Sequence, residues 1–197
     1  LMTCLNENFF LREVTDVARD LLGKRLVRSA DGQRVSGIIS ETEAYRGEED
    51  LACHARSGRT NRNAVMYGMA GRAYIYFTYG MHWCLNAVCG PSGFPAAVLL
   101  RAIHPEEGME FIAARRDGVK PVDWCRGPAR LCKALAIDGS LNGVSLCDSE
   151  SQIFIEEGYE LDDTSVTTSP RIGIQYAPEP WRSKLWRYTA DVVQGHN

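Results

Sequence analysis

Apolar residues at Phe10, Val14, Val17, Ala18, Leu21 and Leu22 recur at helical spacing, and Gly23 follows as a natural stop. The spacing predicts a helix over residues 14–22. Residues 25–29 then read as a strand, Asp31-Gly32 as a hairpin turn and residues 35–45 as the return strand. After a long polar stretch over residues 46–71, residues 73–79 (Ala-Tyr-Ile-Tyr-Phe-Thr-Tyr) have strong strand composition. Tyr79-Gly80 reads as a turn, residues 81–89 as its partner strand and residues 98–103 as a further strand. Pro105, with Glu106 and Glu107 suiting a first turn, predicts a helix running to about residue 116. Gly127-Pro128 predicts another over residues 130–137. Residues 151–156, 171–176 and 186–193 read as strands, and residues 157–170 as loop. Strands in hairpins with helices around them, with no repeat or clean linker, predict one mixed α+β domain over residues 1–197.

One stretch of this pattern carries charge where a strand face should be buried. In Ile38-Ile39-Ser40-Glu41-Thr42-Glu43-Ala44-Tyr45, alternation puts Ile39, Glu41, Glu43 and Tyr45 on one face and Ile38, Ser40, Thr42 and Ala44 on the other. A carboxylate among apolar walls loses hydration and holds its proton more tightly, which suits a general base. The plain alternative is an edge strand with two solvated glutamates.

Composition narrows the classes. No apolar run reaches the ~20 residues of a membrane span, and residues 1–10 carry Glu7 without the basic start of a secretory leader. The chain has 7 cysteines, an odd number without a C-x-x-C pair, which suits buried thiols in a reducing compartment better than a disulfide framework or a zinc ribbon. Net charge is −3 but unevenly spread. Residues 51–105 hold Arg56, Arg59, Arg62, Arg72 and Arg101 and no carboxylate, whereas residues 134–170 hold acids and no Lys or Arg. An acid-free, tyrosine-rich segment studded with arginine can face a polyanion while the acidic part turns away.

Within that segment several residues can carry chemistry. Tyr79 at a hairpin tip can act as a wedge between base steps, or be an ordinary exposed tyrosine. Tyr74 and Tyr76 share one strand face, as stacking platforms do and as core strands also do. His54 lies in the basic loop with no metal-ligand partner at suitable spacing, so no metal site is expected. Asn86 sits in an apolar strand where a buried amide needs a partner. Arg101 ends an apolar strand, and Glu43 is one candidate partner for it.

Together these residues resemble the alkyladenine (3-methyladenine) DNA glycosylases, monofunctional base-excision enzymes for alkylated and deaminated purines. The motifs are Glu41-Thr42-Glu43-Ala44-Tyr45, Gly47-x-Glu49-Asp50-x-Ala52-x-His54, Tyr74-x-Tyr76-x-x-Tyr79-Gly80-Met81 and Asn86. Leu99-Leu100-Arg101-Ala102, Gly127-Pro128-x-x-Leu131-Cys132 and Arg171-Ile172-Gly173-Ile174 follow in order, so the likeness runs over residues 8–193.

The resemblance implies a single mixed α/β domain with a curved antiparallel sheet and a protruding β-hairpin, without a helix-hairpin-helix element. It implies that Glu43 deprotonates the water that attacks C1′ of a flipped nucleotide. Arg101 and the backbone carbonyl of Ile172 would contact the same water. Tyr45 and Tyr76 would sandwich the base, with His54 at its edge and Asn86 as a gate against the 2-amino group of guanine. Tyr79 would intercalate. Arg56, Arg59, Arg62, Gly80 and Arg130 would meet the DNA backbone. The implied partner is double-stranded DNA carrying damaged purines (3-methyladenine, hypoxanthine or ethenoadenine), bound by a monomer without cofactor, metal or membrane. The implied location is the cytoplasm, at the nucleoid in a prokaryote, or the nucleus in a eukaryote. Two departures stand out: His82 replaces an expected aromatic beyond the wedge, and the loop over residues 59–63 is about one residue short against animal members. With no basic N-terminal extension, the chain reads as a minimal, prokaryotic-type member.

Two other classes compete. A non-catalytic sensor or clamp for damaged DNA would keep the pocket but leave the carboxylate–arginine pair without a use. A glycoside hydrolase using Glu41 and Glu43 conflicts with strand geometry. Residues two apart on one face lie roughly 7 Å apart on the same side and cannot flank a glycosidic bond from opposite faces.

Overall fold

The computed structural model describes residues 3–192. A short helix α1 (Glu7–Phe10), capped by the Asn6 side chain, precedes α2 (Val14–Asp20), whose Val14, Val17 and Ala18 are buried against the sheet. The hairpin of β1 (Arg25–Ala30) and β2 (Gln33–Arg46) turns at Asp31 and Gly32, both at positive φ (53° and 73°). Then come β3 (Ala73–Thr78), β4 (His82–Val88), β5 (Ala96–Glu107), α3 (Met109–Arg115), α4 (Pro128–Ala134), β6 (Ile153–Glu156), β7 (Val166–Ser169) and β8 (Arg187–Ala190). Every strand pairing is antiparallel. The curved sheet runs β3-β4-β5-β2-β1-β6, and the β7–β8 ribbon joins β2 beyond the end of β1. This is the α+β architecture expected from the hairpin pattern.

The main core lies on the helix side of the sheet and includes Phe10, Leu21, Leu26, Ile39, Leu85, Leu100, Ile112 and Leu131. A smaller cluster of Cys53, Ala55, Met66, Tyr74, Val88 and Ala97 packs under the other face. All seven cysteines are free thiols. Among the described residues no helix is long and apolar enough to cross a membrane.

The structure corrects four expectations. Pro105, Glu106 and Glu107 do not open a helix; they continue β5, and α3 begins after Gly108. Gly108 has φ 69°, and a Cβ there would stand 2.7 Å from the Arg34 carbonyl, so the break needs glycine. The acids that suited a helix start are used across the sheet instead: Glu106 pairs with Arg25, and Glu107 with Arg34 and the Ser36 hydroxyl. Second, residues 171–176 are not a strand. The Ile172 N–H is given to a carboxylate and Gly173 sits at φ 78°, so no ladder can form. Third, residues 166–169 of the presumed loop form β7 at the sheet margin, stabilised by pairing with β8 rather than by an apolar pattern. The strand expected over residues 186–193 is β8, and Val193 lies outside the described residues.

The fourth correction concerns β2. Ile39 does not share a face with Glu43; it belongs to the helix-side core, as Ala44 does. Ile39 pairs with Ile103, Glu41 with Ala102 and Thr42 with Leu100, so Ser40 on β2 and Arg101 on β5 each stand without a Cα partner. An extra residue in each strand reverses the alternation and re-aims the side chains around it.

Candidate active site

The bulges bring Glu41, Glu43 and Tyr45 to the side of the sheet opposite α2, where the strand crosses the floor of a cleft. Thr42 points the other way and its hydroxyl donates to the Ala18 carbonyl at 2.7 Å. The Glu43 side chain is 0 % exposed. Its Oε1 accepts the Ile172 N–H at 2.7 Å, its Oε2 accepts the Tyr45 hydroxyl at 2.8 Å, and Arg101 Nη1 stands 3.4 Å from Oε1. Burial raises the Glu43 carboxyl above its ordinary value; the Arg101 charge, the Ile172 N–H and the Tyr45 hydroxyl pull it back without cancelling that rise. Burial, then the neighbouring Glu43 charge, pushes the Tyr45 phenol well up, so it stays a donor.

The cleft itself, of about 660 Å³, is lined by residues including Tyr45, His54, Tyr76, Asn86, Arg101 and Ile172. Glu43 lies just behind this lining, and three of its wall residues hold it. Strand pairing sets Tyr74 opposite Asn86, and the Asn86 amide donates to the Tyr74 carbonyl at 3.0 Å. The His54 Nδ1 meets the Tyr74 hydroxyl at 3.0 Å, and its ring stands edge-on to Tyr76 with centroids 4.4 Å apart. Although His54 as a whole is an exposed residue, its ring is enclosed by these tyrosines. Desolvation, then the Arg62 and Arg56 charges, lower its imidazole to about 4, so it is neutral near pH 7. Tyr74 also borders the cleft but is buried in the smaller core, whereas Tyr76 is only partly buried and offers more of its ring to a base.

The basic segment divides. Arg56 and Arg62 line the cleft: Arg56 lies over the Tyr176 ring at 4.9 Å, and Arg62 over the Tyr76 ring at 5.4 Å while donating to the Phe77 carbonyl. Arg59 lies over Tyr67 and Arg130 pairs with Asp123 at 3.3 Å; neither lines the cleft. The short loop is tied down by Asn63, whose amide donates to the His54 and Gly58 carbonyls. At the hairpin tip, Tyr79 (φ 51°) and Gly80 (φ 65°) make a turn closed by the Met81 N–H on the Thr78 carbonyl. Tyr79 is 86 % exposed and is flanked by exposed Phe77 and Met81. His82 is exposed at the foot of the same tip and lines the cleft.

Sequence reasoning missed the supports of this arrangement. Arg171 and Asp50, both fully buried, form a two-pronged pair at 2.6 and 2.9 Å. Arg171 also donates to the Ala44 and Trp181 carbonyls and lies over the Tyr45 ring. That latch fixes the turn carrying Ile172 against β2. Asp50 follows Glu49 in one family-like motif and Arg171 opens another, but no local spacing shows that they meet. Glu41, weighed only as a second carboxylate, accepts from Arg101 and Arg187. Tyr176, with its hydroxyl on the Ala52 carbonyl, forms the cleft rim.

Comparison with known proteins supplies the family. The methylpurine-DNA glycosylase family model matches residues 8–193. A protein of Methanocella arvoryzae named "Putative 3-methyladenine DNA glycosylase" is 46% identical over 186 residues, covering 92% of this chain and 92% of its own length. Proteins of the same name from Desulfitobacterium hafniense (45% identical; 93% and 96% covered) and Myxococcus xanthus (44%; 94% and 90%) are similar throughout. A match this long, with the carboxylate and its wall residues inside it, identifies the chain as a DNA glycosylase belonging to the methylpurine-DNA glycosylase family.

Proposed function

We propose that this glycosylase turns a damaged purine nucleotide out of duplex DNA into the cleft and hydrolyses its N-glycosidic bond with water activated by Glu43. The observation that carries the reading is the carboxylate itself. It is fully buried, held by Ile172, Tyr45 and Arg101, and set directly behind an aromatic cleft large enough for a base. As the C1′–N bond breaks, the sugar becomes oxocarbenium-like, and a nearby carboxylate stabilises that charge. Glu43 takes a proton from the water whose oxygen bonds to C1′; the base departs with the bonding electron pair, and an abasic sugar remains. The water is held between Glu43, Arg101 and the Ile172 carbonyl. With water as the nucleophile, no lyase step follows.

Tyr45 and Tyr76 stack on the base, and electron-poor alkylated purines bind such faces somewhat as cations do. Asn86, fixed by its bond to Tyr74, excludes a 2-amino group, and the His54 backbone N–H reads the purine 6-position. Tyr79 fills the gap left by the extruded nucleotide, and Arg56 and Arg62 meet phosphates at the cleft mouth. Flipping costs a few kcal/mol and costs least at damaged or mispaired bases, which adds selectivity before chemistry. The substrate class is therefore alkylated and deaminated purines, 3-methyladenine and hypoxanthine among them, acted on by a monomer.

The test is a duplex with one hypoxanthine, incubated with the protein and then treated with alkali. Strand scission at the lesion supports hydrolysis. Tight binding without scission would make the protein a damage clamp and end the catalytic assignment of Glu43.

A further inference from the structure

Glu41 stands two residues before Glu43, yet its carboxylate is engaged quite differently. One oxygen, Oε1, accepts Nε–H from Arg101 at 2.7 Å and Nε–H from Arg187 at 2.6 Å. All three side chains are largely shielded from solvent. Arg187 is the Cα partner of Glu43 on β8 and also donates to the Ser169 hydroxyl at 3.2 Å. Arg101 sits at the β5 bulge, free of a partner across the ladder, and its backbone carbonyl accepts the Gly127 N–H. Its direction is thus set by its side-chain bonds. A guanidinium is a rigid fork, so tying Nε to Glu41 fixes where Nη1 points. Nη1 stops 3.4 Å from Glu43, beyond the 2.7–2.9 Å of a tight charge-assisted bond.

We infer that Glu41 is a positioning residue: by tethering Arg101 toward the β7–β8 ribbon it keeps the guanidinium from closing onto Glu43, leaving that carboxylate free to accept the proton of the attacking water. The inference rests on Glu43 being the base. Arg101 is then held at the distance where it and Glu43 can share a water between them, instead of locking onto Oε1, which already accepts the Ile172 N–H, and taking the lone pair left for proton transfer.

The groups facing Glu43 are Arg101 from β5, Glu41 and Tyr45 from its own strand, Tyr76 from β3, Cys84 from β4 and Arg171 beside Ile172. Arg187 on β8 is reached across Glu41. Glu41→Gln removes one negative charge from this group and loosens the hold on two cations, because a neutral amide oxygen accepts from a guanidinium more weakly than a carboxylate does. Lost repulsion and the approach of Arg101 act in the same direction, lowering the proton affinity of Glu43.

The experiment measures single-turnover excision of hypoxanthine across pH for wild type, Glu41→Gln, Glu41→Asp and Glu43→Gln, with affinity for an abasic-site duplex alongside. For Glu41→Gln the rate at neutral pH should fall, on the order of 10-fold to 10²-fold as misplacement of a positioned group does. The acid limb of its profile should move to lower pH while abasic-site affinity stays near wild type. Glu41→Asp, which keeps the charge, should return the acid limb toward wild type and recover part of the rate. A wild-type rate and limb in Glu41→Gln overturns the inference. So does a rate loss with the limb unmoved and affinity lost in parallel, which marks a structural role. If Glu41→Gln does not fold, Glu41→Asp decides: a reduced rate with retained affinity supports the tether, and a wild-type rate overturns it. Glu43→Gln separates the two readings. Loss of excision there with an unaffected Glu41→Gln sinks the tether alone, and undiminished excision by Glu43→Gln sinks the base and the tether together.

Discussion

Residues 42 and 44 of β2 and residues 41, 43 and 45 of the same strand meet two different solvents. On the first face Thr42 returns its hydroxyl to Ala18, and Ala44 joins Leu26, Leu85, Val98 and Leu100 in a continuous apolar core. Burial there contributes to stability at roughly 25 cal/mol per Å² of apolar surface removed from water. On the second face Glu41, Glu43 and Tyr45 are taken out of water as polar groups, and each loss of hydration is offset only by a directed partner. Neighbouring residues on one strand therefore divide two tasks. One face holds the sheet together; the other spends folding energy to keep a carboxylate dry.

That division predicts which changes separate activity from stability. The largest effect is expected at Glu43. Glu43→Gln should lower excision by about 10²- to 10⁴-fold, the usual worth of a positioned acid or base, with lesion-duplex binding little changed and the melting temperature near neutral pH held or raised. Single-turnover base release and a thermal melt check both arms, and excision at the wild-type rate would dissolve the contrast. Because Glu43 has a carboxyl raised above the unfolded value of 4.5, the native state binds more protons between the two values. Stability therefore falls as pH rises through that window, and the Gln variant should lose this slope in urea titrations across acid pH.

The mirror change on the core side is Ile39→Ala. It should cost about 2–5 kcal/mol of stability by opening a cavity, seen as a lower urea midpoint, while excision well below the melting temperature stays within a few-fold. A variant of unchanged midpoint would return Ile39 to the cleft face and remove the bulge from the account.

His54 offers a smaller, pH-dependent effect. Its imidazole at about 4 lies below the unfolded 6.5, so the native state binds fewer protons between these values. Stability is present above pH 6.5 and is lost as pH falls toward 4. His54→Gln should flatten that dependence, and an unchanged acid slope in the variant would show that the ring is not desolvated.

Tyr79→Ser should have the mildest consequence for the fold, since the side chain is almost wholly exposed. The melting temperature should hold, and binding to lesion duplex should weaken more than cleavage of an already extruded base slows. Equal losses on both substrates would remove the wedge role. Binding should also fall steeply with salt if Arg56 and Arg62 meet phosphates.

Much of this was legible in the chain. The helix at α2, the β1–β2 and β3–β4 hairpins and their turns followed from periodicity and turn residues, because those signals are local. Pro105-Glu106-Glu107 misled because a helix start and a strand end that pairs with Arg25, Arg34 and Ser36 use the same residue types. Residues 171–176 misled because their apolar alternation is spent on the cleft rim and on Glu43 rather than on a ladder. Tyr74 and Tyr76 looked alike in alternation, and packing alone separated a buried ring from a partly exposed one.

By itself the sequence determined the α+β class, the hairpins, the Arg-rich acid-free segment and, through ordered motifs, which residues would converge on a cleft. Those follow from residue type, spacing and chain order. Only tertiary structure decided which way β2 presents its side chains, because a paired bulge at Ser40 and Arg101 depends on the register between two strands distant in sequence. It also decided that Arg101 is held by Glu41 more closely than by Glu43, and that Arg171 and Asp50 latch Ile172 beside the carboxylate. Those are distances between side chains far apart along the chain, and the dryness that raises the Glu43 carboxyl exists only once all of them are in place.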